Sequence, residues 1–469
     1  MKKLSLFLSS VVLALLLIVS AGCGSFVSDS FINGGGEVKP EETTPAVIDY
    51  SVALKDSAAL SDSIVLKSAQ TRPDSPLSEK EAKQAVARTS VALETSGFGS
   101  GVIVDIDDGV DYGEDEEKIF YIVTCHHMIS SGGSIKVYVP DENYSYENEK
   151  YIFTGTIGGA VAENQAVSLV GGDAISDIAL IKLYVSDLTV ARTLVKAKIM
   201  DTEKYAVDLY ENVFAIGNPT GTLPGSATSV GSANPLRRDV LVESAGYMTL
   251  MQIAVGTNPG NSGGGLYNLY GELVGITNAG NTNYESINFA IPLKTTENEG
   301  EEDRGMVNVV KQLLATYLAS GDKLNYGYVS GRWSLGVVVQ MNTMGTRLFF
   351  LTVDEGSMAE KAGAKPYAKL SSSLESYDEV LSVSFYNKVT EKNEIYSLSE
   401  LVSSGYTANE AFSLIMSIAK STLSEGDKFT VSIRRCEGRS YTTMDLNFSI
   451  ENPSYIFADT ANYDNIKAA

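Results

Sequence analysis

Between residues 86 and 318 the apolar positions come in short runs broken by Gly, Asn and Asp, among them 101–106, 119–124, 135–139, 179–184 and 273–277. Many short β-patterned runs separated by turn residues predict an all-β barrel or sandwich. Two segments follow a helical rhythm instead. Residues 78–86 read as a short helix, with Ser78 as cap and Glu81 three residues on to complete a capping box. Residues 307–318 carry apolar positions at helical spacing and are expected to close the β-rich unit. Further on, Phe412, Ile415, Met416 and Ala419 form an apolar helical stripe, which core packing and a peptide groove explain equally well. At the start, Lys2 and Lys3 precede a mostly apolar run from Leu4 to Val19, the pattern of a targeting segment. No other stretch approaches the ~18 apolar residues of a membrane span.

A chain of 469 residues is long enough for two or three domains of about 150 residues. Residues 24–80 are rich in Ser, Gly, Thr, Pro and Asp, with the run Asn33-Gly34-Gly35-Gly36 and prolines at 40, 45, 73 and 76. This composition predicts a spacer, mostly disordered. The net charge of −22 excludes a nucleic-acid partner. The acidic runs 107–117 and 297–303 read as solvated loops. Of the three cysteines, Cys125 and Cys436 fall in different expected units, so no disulfide joins them in this reading. Cys125 precedes His126 and His127, but one thiol and two adjacent histidines lack metal-ligand spacing. Cys125 is therefore expected as a buried strand cysteine, with no metal and no cofactor.

The candidate chemistry centres on Asn258-Pro259-Gly260-Asn261-Ser262-Gly263-Gly264-Gly265-Leu266. Glycines around one serine allow a tight turn, leave room for a substrate and free backbone N–H groups to bind an oxyanion. Such a run gains weight when a histidine and a buried carboxylate lie upstream. Both are present, in Tyr121-Ile122-Val123-Thr124-Cys125-His126-His127-Met128 and in Ser176-Asp177-Ile178-Ala179-Leu180-Ile181-Lys182. Supporting pieces follow in the same order: Gly99-Ser100-Gly101-Val102-Ile103, Ala215-Ile216-Gly217-Asn218-Pro219, Asn268-Leu269-Tyr270-Gly271 and Asn288-Phe289-Ala290-Ile291-Pro292. Over residues 84–450 the sequence resembles the HtrA (Deg) family of trypsin-like serine proteases with a C-terminal PDZ domain.

The resemblance implies an all-β protease domain over 84–320, built of two six-stranded barrels with the active site between them, followed by a smaller α+β PDZ-like domain over 327–452 and a tail over 453–469. Residues 1–22 with the junction Val19-Ser20-Ala21-Gly22-Cys23 resemble a bacterial lipoprotein signal, which implies lipidation of Cys23 and a lipid-anchored spacer over 23–83; an uncleaved membrane anchor is the alternative. The site residues it implies are Ser262 as nucleophile, His127 as base and Asp177 as the carboxylate orienting it, with the N–H groups of Gly260 and Ser262 as oxyanion hole. Alternation along a strand sends His126 and His127 to opposite faces, and the family pattern selects His127. Asn261 stands where zymogen-activated relatives carry an aspartate, so activation by a freed N-terminus is not expected. Gly256, six before the nucleophile, implies a pocket for small or medium apolar side chains, while Gly265 replaces the usual Pro or Ala.

In the C-terminal unit Ser334-Leu335-Gly336-Val337 resembles a PDZ carboxylate-binding loop, and a Ser-rich insertion between Lys365 and Tyr377 replaces a short turn. The implied partners are unfolded protein substrates, peptide C-termini at the PDZ unit, a bacterial membrane reached through the N-terminal lipid, and identical chains in a homotrimer. A catalytically idle peptide-binding or chaperone module on the same fold is the competing reading.

Overall fold

The computed structural model describes residues 61–68, 72–141, 148–157, 165–218, 226–228, 230–242, 245–280, 287–296, 302–320, 326–371 and 374–450. The expected signal segment, Cys23 and the expected C-terminal tail lie outside these residues.

The apolar runs become strands of two closed barrels. In the first, Ser90–Glu94, Phe98–Val104, Ile119–Cys125, Ile178–Tyr184, Val167–Asp173, Ile152–Ile157 and Gly133–Tyr138 form a ring of seven strands, one more than the six expected. The extra seam is a single parallel pair between Gly155 and Val167, where a side chain at Gly155 would lie 2.0 Å from the Val167 carbonyl. These strands are apolar on both faces for a physical reason. Ile103, Ile122 and Ile181 fill the barrel, while Val102, Val123 and Leu180 on the opposite face join the large core shared with the second barrel. The second barrel is a ring of six strands, Glu272–Gly280, Gly265–Asn268, Asn212–Gly217, Gly231–Val242, Gly246–Ile253 and Asn288–Pro292. Gly271, at φ +74°, makes the turn expected between the strands that flank it.

The two expected helices are present. Glu79–Val86 carries the complete Ser78/Glu81 capping box. Met306–Ser320 buries Met306, Val309, Val310, Leu313 and Leu314, and returns to pack on strands Val167–Asp173 and Ile178–Tyr184 of the first barrel. Part of the stretch read as spacer is ordered: Ile64 and Leu66 are buried either side of exposed Val65, and Val65–Leu66 pairs with Ile106–Asp107. The period-two pattern is only three residues long there, too short to stand out from the polar composition around it. Among the described residues no helix is long and apolar enough to cross a membrane.

The C-terminal unit is a seven-stranded sheet centred on Leu374–Asn387, with helix Ala408–Thr422 packed on it. The insertion after Lys365 is structured: Ala368–Ser371 pairs back on the start of Leu374–Asn387 as an extension of the sheet. Helix Ala408–Thr422 has two packed sides. Phe412, Ile415 and Ala419 belong to the core of its own unit, while the carbonyl of Ser417 lies where a side chain on Gly246 of the second barrel would be, 2.1 Å from the ideal Cβ. Ser421 Oγ accepts from Tyr247 N at 2.9 Å. Arg332, just before this unit, is held by buried Asp173 of the first barrel at 2.8 and 2.9 Å and by Glu302 at 2.5 Å. Burial opposes the charge on Asp173, yet the Arg332 guanidinium and Ser176 hold its carboxyl well below the usual range.

The fold also explains Gly265. Tyr267 is fully buried, its hydroxyl meets Thr89 Oγ1 at 2.5 Å, and its ring covers the place where a Gly265 side chain would be, 2.3–2.6 Å from the ideal Cβ. The glycine thus accommodates a bulky neighbour in the barrel core. Gly265→Ala is expected to lower the unfolding midpoint, at a cost of about 1–3 kcal/mol for overpacking. The same change made in a Tyr267→Val background should cost clearly less, because the colliding ring is gone. Thermal or denaturant unfolding of the four proteins checks this, and equal costs in both backgrounds would refute it.

Candidate active site

The three residues singled out by sequence arrive at the cleft from separate elements. Strand Ile119–Cys125 ends immediately before a single 3-10 turn, His126–Met128, which carries His127. The histidine pair therefore sits just past the strand end, not within it, and the alternation expected of strand neighbours does not apply. Asp177 precedes strand Ile178–Tyr184 at φ +53°, a left-handed conformation that Asp tolerates better than most residues. This local twist lets one aspartate meet the turn through both backbone and side chain. Its carbonyl accepts from His126 N at 3.0 Å, its Oδ1 from His127 N at 2.8 Å, and its Oδ2 lies 2.7 Å from His127 Nδ1.

The pair is electrostatically coupled. Burial disfavours the Asp177 carboxylate, but His127 beside it wins and holds the carboxyl below its ordinary value. Burial likewise disfavours the charged imidazole, and Asp177 more than offsets it, raising His127 above the ordinary 6.5. A carboxylate on Nδ1 fixes the tautomer that leaves Nε2 as acceptor in the neutral ring.

Ser262 lies in the glycine loop, with its Oγ donating to the Asn278 carbonyl at 3.1 Å. Among the described residues no hydrogen bond joins it to His127. The loop is shaped by Gly260 at φ +98° and Gly263 at φ +82°. A side chain at Gly263 would sit 2.2 Å from the Ser100 carbonyl and 2.3 Å from Thr124 Oγ1. Ser100 clamps the loop from the first barrel: its N–H donates to the Ser262 carbonyl at 2.9 Å and its Oγ to the Gly260 carbonyl at 2.7 Å. The N–H groups of Gly260 and Ser262 donate to no acceptor among the described residues. Asn261 between them is buried, with neither end of its amide partnered among the described residues. Gly256 faces open space.

Sequence reasoning missed Asn278. Its Nδ2 donates to Asp177 Oδ2 at 2.6 Å and approaches Cys125 Sγ at 3.7 Å, while its carbonyl accepts from Ser262. Nothing in the local pattern of strand Glu272–Gly280 marks it, since only the barrel pairing brings it under Asp177. Cys125 is buried as expected, its thiol donating to the Thr277 carbonyl at 3.5 Å. Burial and the neighbouring Asp177 push this thiol well above its ordinary range. Ser334–Val337 lies far along the chain at the start of the edge strand Val337–Met341. There Gly336 is at φ +70°, its N–H donates to Ser334 Oγ at 3.3 Å, and Leu335 is buried.

Comparison with known proteins matches this arrangement. Residues 99–276, which include His127, Asp177 and Ser262, match the trypsin-like peptidase domain family. The probable periplasmic serine protease do/HhoA-like of Haemophilus influenzae is 28% identical over 376 residues, 78% of this chain and 69% of that protein. The chain thus carries a trypsin-like peptidase segment and is similar to serine proteases named HtrA and DegP. Serine protease Do-like HtrA of Bacillus subtilis is 28% identical over 275 residues, 58% of this chain and 52% of that protein. Periplasmic serine endoprotease DegP of Escherichia coli K12 is 31% identical over 241 residues, 49% of this chain and 42% of that protein. The chain thus spans about half, or less, of the last two HtrA/Deg relatives. Asn278 falls two residues beyond the matched peptidase segment.

Loss of the Asn278 amide removes a hydrogen bond to a buried carboxylate, an interaction of about 1.5–3 kcal/mol. Asn278→Ala is expected to lower kcat of peptide hydrolysis about 10–100-fold with a smaller change in KM. Asn278→Asp, nearly the same shape, places a second carboxylate against Asp177 and should shift the acid limb of the pH profile to higher pH. Unchanged kcat and pH profiles in both variants would remove Asn278 from the catalytic arrangement.

Proposed function

We propose that this chain is an extracytoplasmic serine endopeptidase that cleaves unfolded or damaged proteins through an acyl-enzyme on Ser262. The observation that carries the reading is the His127–Asp177 pair at 2.7 Å, set beside a loop whose Gly260 and Ser262 N–H groups have no acceptor among the described residues. In this mechanism Ser262 Oγ turns from the Asn278 carbonyl to His127 Nε2, which takes its proton as Oγ attacks the scissile carbonyl. Asp177 stabilises the imidazolium that results. The oxyanion is received by the two free N–H groups, and His127 then protonates the leaving amine. Water repeats the sequence to release the acyl group. Ser100 contributes by holding the carbonyls of Gly260 and Ser262, which fixes the peptides that follow these two residues and so the path of the serine loop.

The extracytoplasmic placement rests on the apolar N-terminal run Leu4 to Val19 with the junction at Cys23, and on relatives named as periplasmic. Lipidation of Cys23 would tether the protein to a membrane. A second reading, a binding module with an idle site, draws support from the serine hydroxyl being turned to Asn278 and not to His127. A serine-directed phosphonate separates the two. Labelling of Ser262, with cleavage of an unfolded protein that falls by about 10⁶ in Ser262→Ala, is the expected result. The rate should rise with pH through a value above 6.5, as His127 loses its proton. Absence of labelling together with undiminished cleavage in Ser262→Ala would sink the enzymatic reading.

We also read the C-terminal unit as a PDZ-like peptide binder. Strand Val337–Met341 lies at the edge of the sheet, half-buried at Val337, Val338 and Val339, with helix Ala408–Thr422 alongside. An incoming peptide would add as a strand there, its carboxylate near Ser334–Val337. Because that helix also packs on the second barrel, the full chain is the proper test object. Peptides with apolar C-termini are expected to raise the cleavage rate, and the same peptides amidated at the C-terminus to have no effect. Equal rates with free, amidated and no peptide would leave the unit without a regulatory role.

A further inference from the structure

We propose that Cys125, His127, Asp177 and Asn278 form an inhibitory site for a thiophilic divalent cation of the zinc type, directly beneath the proposed catalytic pair. The residues are spread along the chain and show no ligand spacing in the sequence, yet the fold converges them. The ligand atoms of Cys125, His127 and Asp177 all lie within 4.8 Å of one another. Asn278 supplies the fourth side. Its Nδ2 is 2.6 Å from Asp177 Oδ2 and 3.7 Å from Cys125 Sγ, while its Oδ1 is buried with no partner among the described residues. Turning that amide by 180° aims the unpartnered oxygen at the sulfur and the carboxylate.

One thiolate, one imidazole, one carboxylate and one amide oxygen make a set that suits a tetrahedral zinc-like ion. Ligand atoms around such an ion lie about 3.3–3.8 Å apart, given bonds of about 2.0–2.3 Å. The His127–Asp177 contact of 2.7 Å therefore opens by about 0.7 Å when the ion enters. Charge also favours the exchange. The buried site carries the Asp177 carboxylate with a neutral thiol, and the ion displaces the Cys125 proton to solvent, leaving two anions against one dication. Burial holds the free thiol protonated, but a coordinating cation reverses that balance.

The consequence follows from the two nitrogens of one ring. With Nδ1 ligated, the neutral imidazole carries its proton on Nε2 and has no lone pair to receive the Ser262 proton. The ion thus silences the base without touching the serine. Ligation itself rests only on the geometry; its inhibitory effect rests on the peptidase reading above.

The test uses the full chain with Cys23→Ala, so that Cys125 and Cys436 are the remaining thiols. Ligation is read in a Ser262→Ala background by titration with Co²⁺, as a thiolate-to-cobalt absorption band with the visible bands of a tetrahedral ion. The band is expected at one ion per chain, displaced by Zn²⁺, retained in Cys436→Ser, and lost in both Cys125→Ser and His127→Gln with far-UV circular dichroism unchanged. No band in the parent protein, or a band that survives both substitutions, overturns the site. With Ser262 present, Zn²⁺ should stop peptide cleavage, and a chelator should restore it. Cys125→Ser should raise the inhibitory concentration by more than the about 10–100-fold typical of losing an outer-sphere partner. A cobalt band with cleavage insensitive to Zn²⁺ overturns the inhibitory role. A chain that cleaves nothing defeats the peptidase reading, while the cobalt spectrum still decides the site.

Discussion

The burial of one carboxylate organises the site. Asp177 is 2% exposed, and an unpaired charge at that depth would be untenable. The fold answers with three donors, His127 N, His127 Nδ1 and Asn278 Nδ2, each from a segment that the barrels bring together. Satisfying Asp177 therefore does several things at once. It anchors the 3-10 turn after strand Ile119–Cys125, fixes the imidazole tautomer, and draws strand Glu272–Gly280 of the second barrel under the first. The left-handed backbone at Asp177 is the local cost of that convergence, about 1–3 kcal/mol for a non-glycine residue.

The same convergence requires the absence of side chains elsewhere. Gly263 lets the serine loop lie against Ser100 and Thr124, and a Cβ on Gly217 would collide with Asn261 at 2.6 Å. Ser100 fills the remaining polar need by bonding the carbonyls of Gly260 and Ser262 and accepting from Asn218 N at 2.8 Å. The N–H groups of Gly260 and Ser262 meanwhile donate to no acceptor among the described residues. The barrels thus bring the His127–Asp177 pair and the Ser262 loop together at one interface.

How much of this was legible depends on whether the signal is local. The strands, both helices and the capping box at Ser78 could be read because periodicity and capping are properties of neighbouring residues. His127, Asp177 and Ser262 could be picked out because each carries its own motif. Asn278 could not, since it lies in an ordinary strand and acquires its contacts only by barrel closure. Cys125 was rightly expected to be buried, but spacing along the chain hid its nearness to Asp177 and Asn278. Gly265 looked like an alteration near the serine and turned out to answer the bulk of Tyr267, two positions away in sequence and folded back over it. The ordered pair Ile64 and Leu66 was obscured by the polar composition on either side. In each case the missing information was a tertiary neighbour.

The docking of the C-terminal unit follows the same logic of shared surfaces. Helix Ala408–Thr422 cannot shift on its own sheet without disturbing its contact with Gly246, where backbone meets backbone and no side chain is available to cushion the move. Gly246 opens a strand that ends at Ile253, and Ile253 pairs with Asn288. Asn288 in turn binds the Val255 carbonyl at 2.7 Å and Thr257 Oγ1 at 2.8 Å, on the segment leading into the Ser262 loop. One strand pairing and two side-chain bonds, one buried and one half-buried, therefore tie the strand under the helix to the segment that leads to the serine. Such continuity transmits a displacement only where an element along it has two discrete arrangements. The Ser262 hydroxyl, bonded to the Asn278 carbonyl here and turned to His127 in the proposed mechanism, would be such an element.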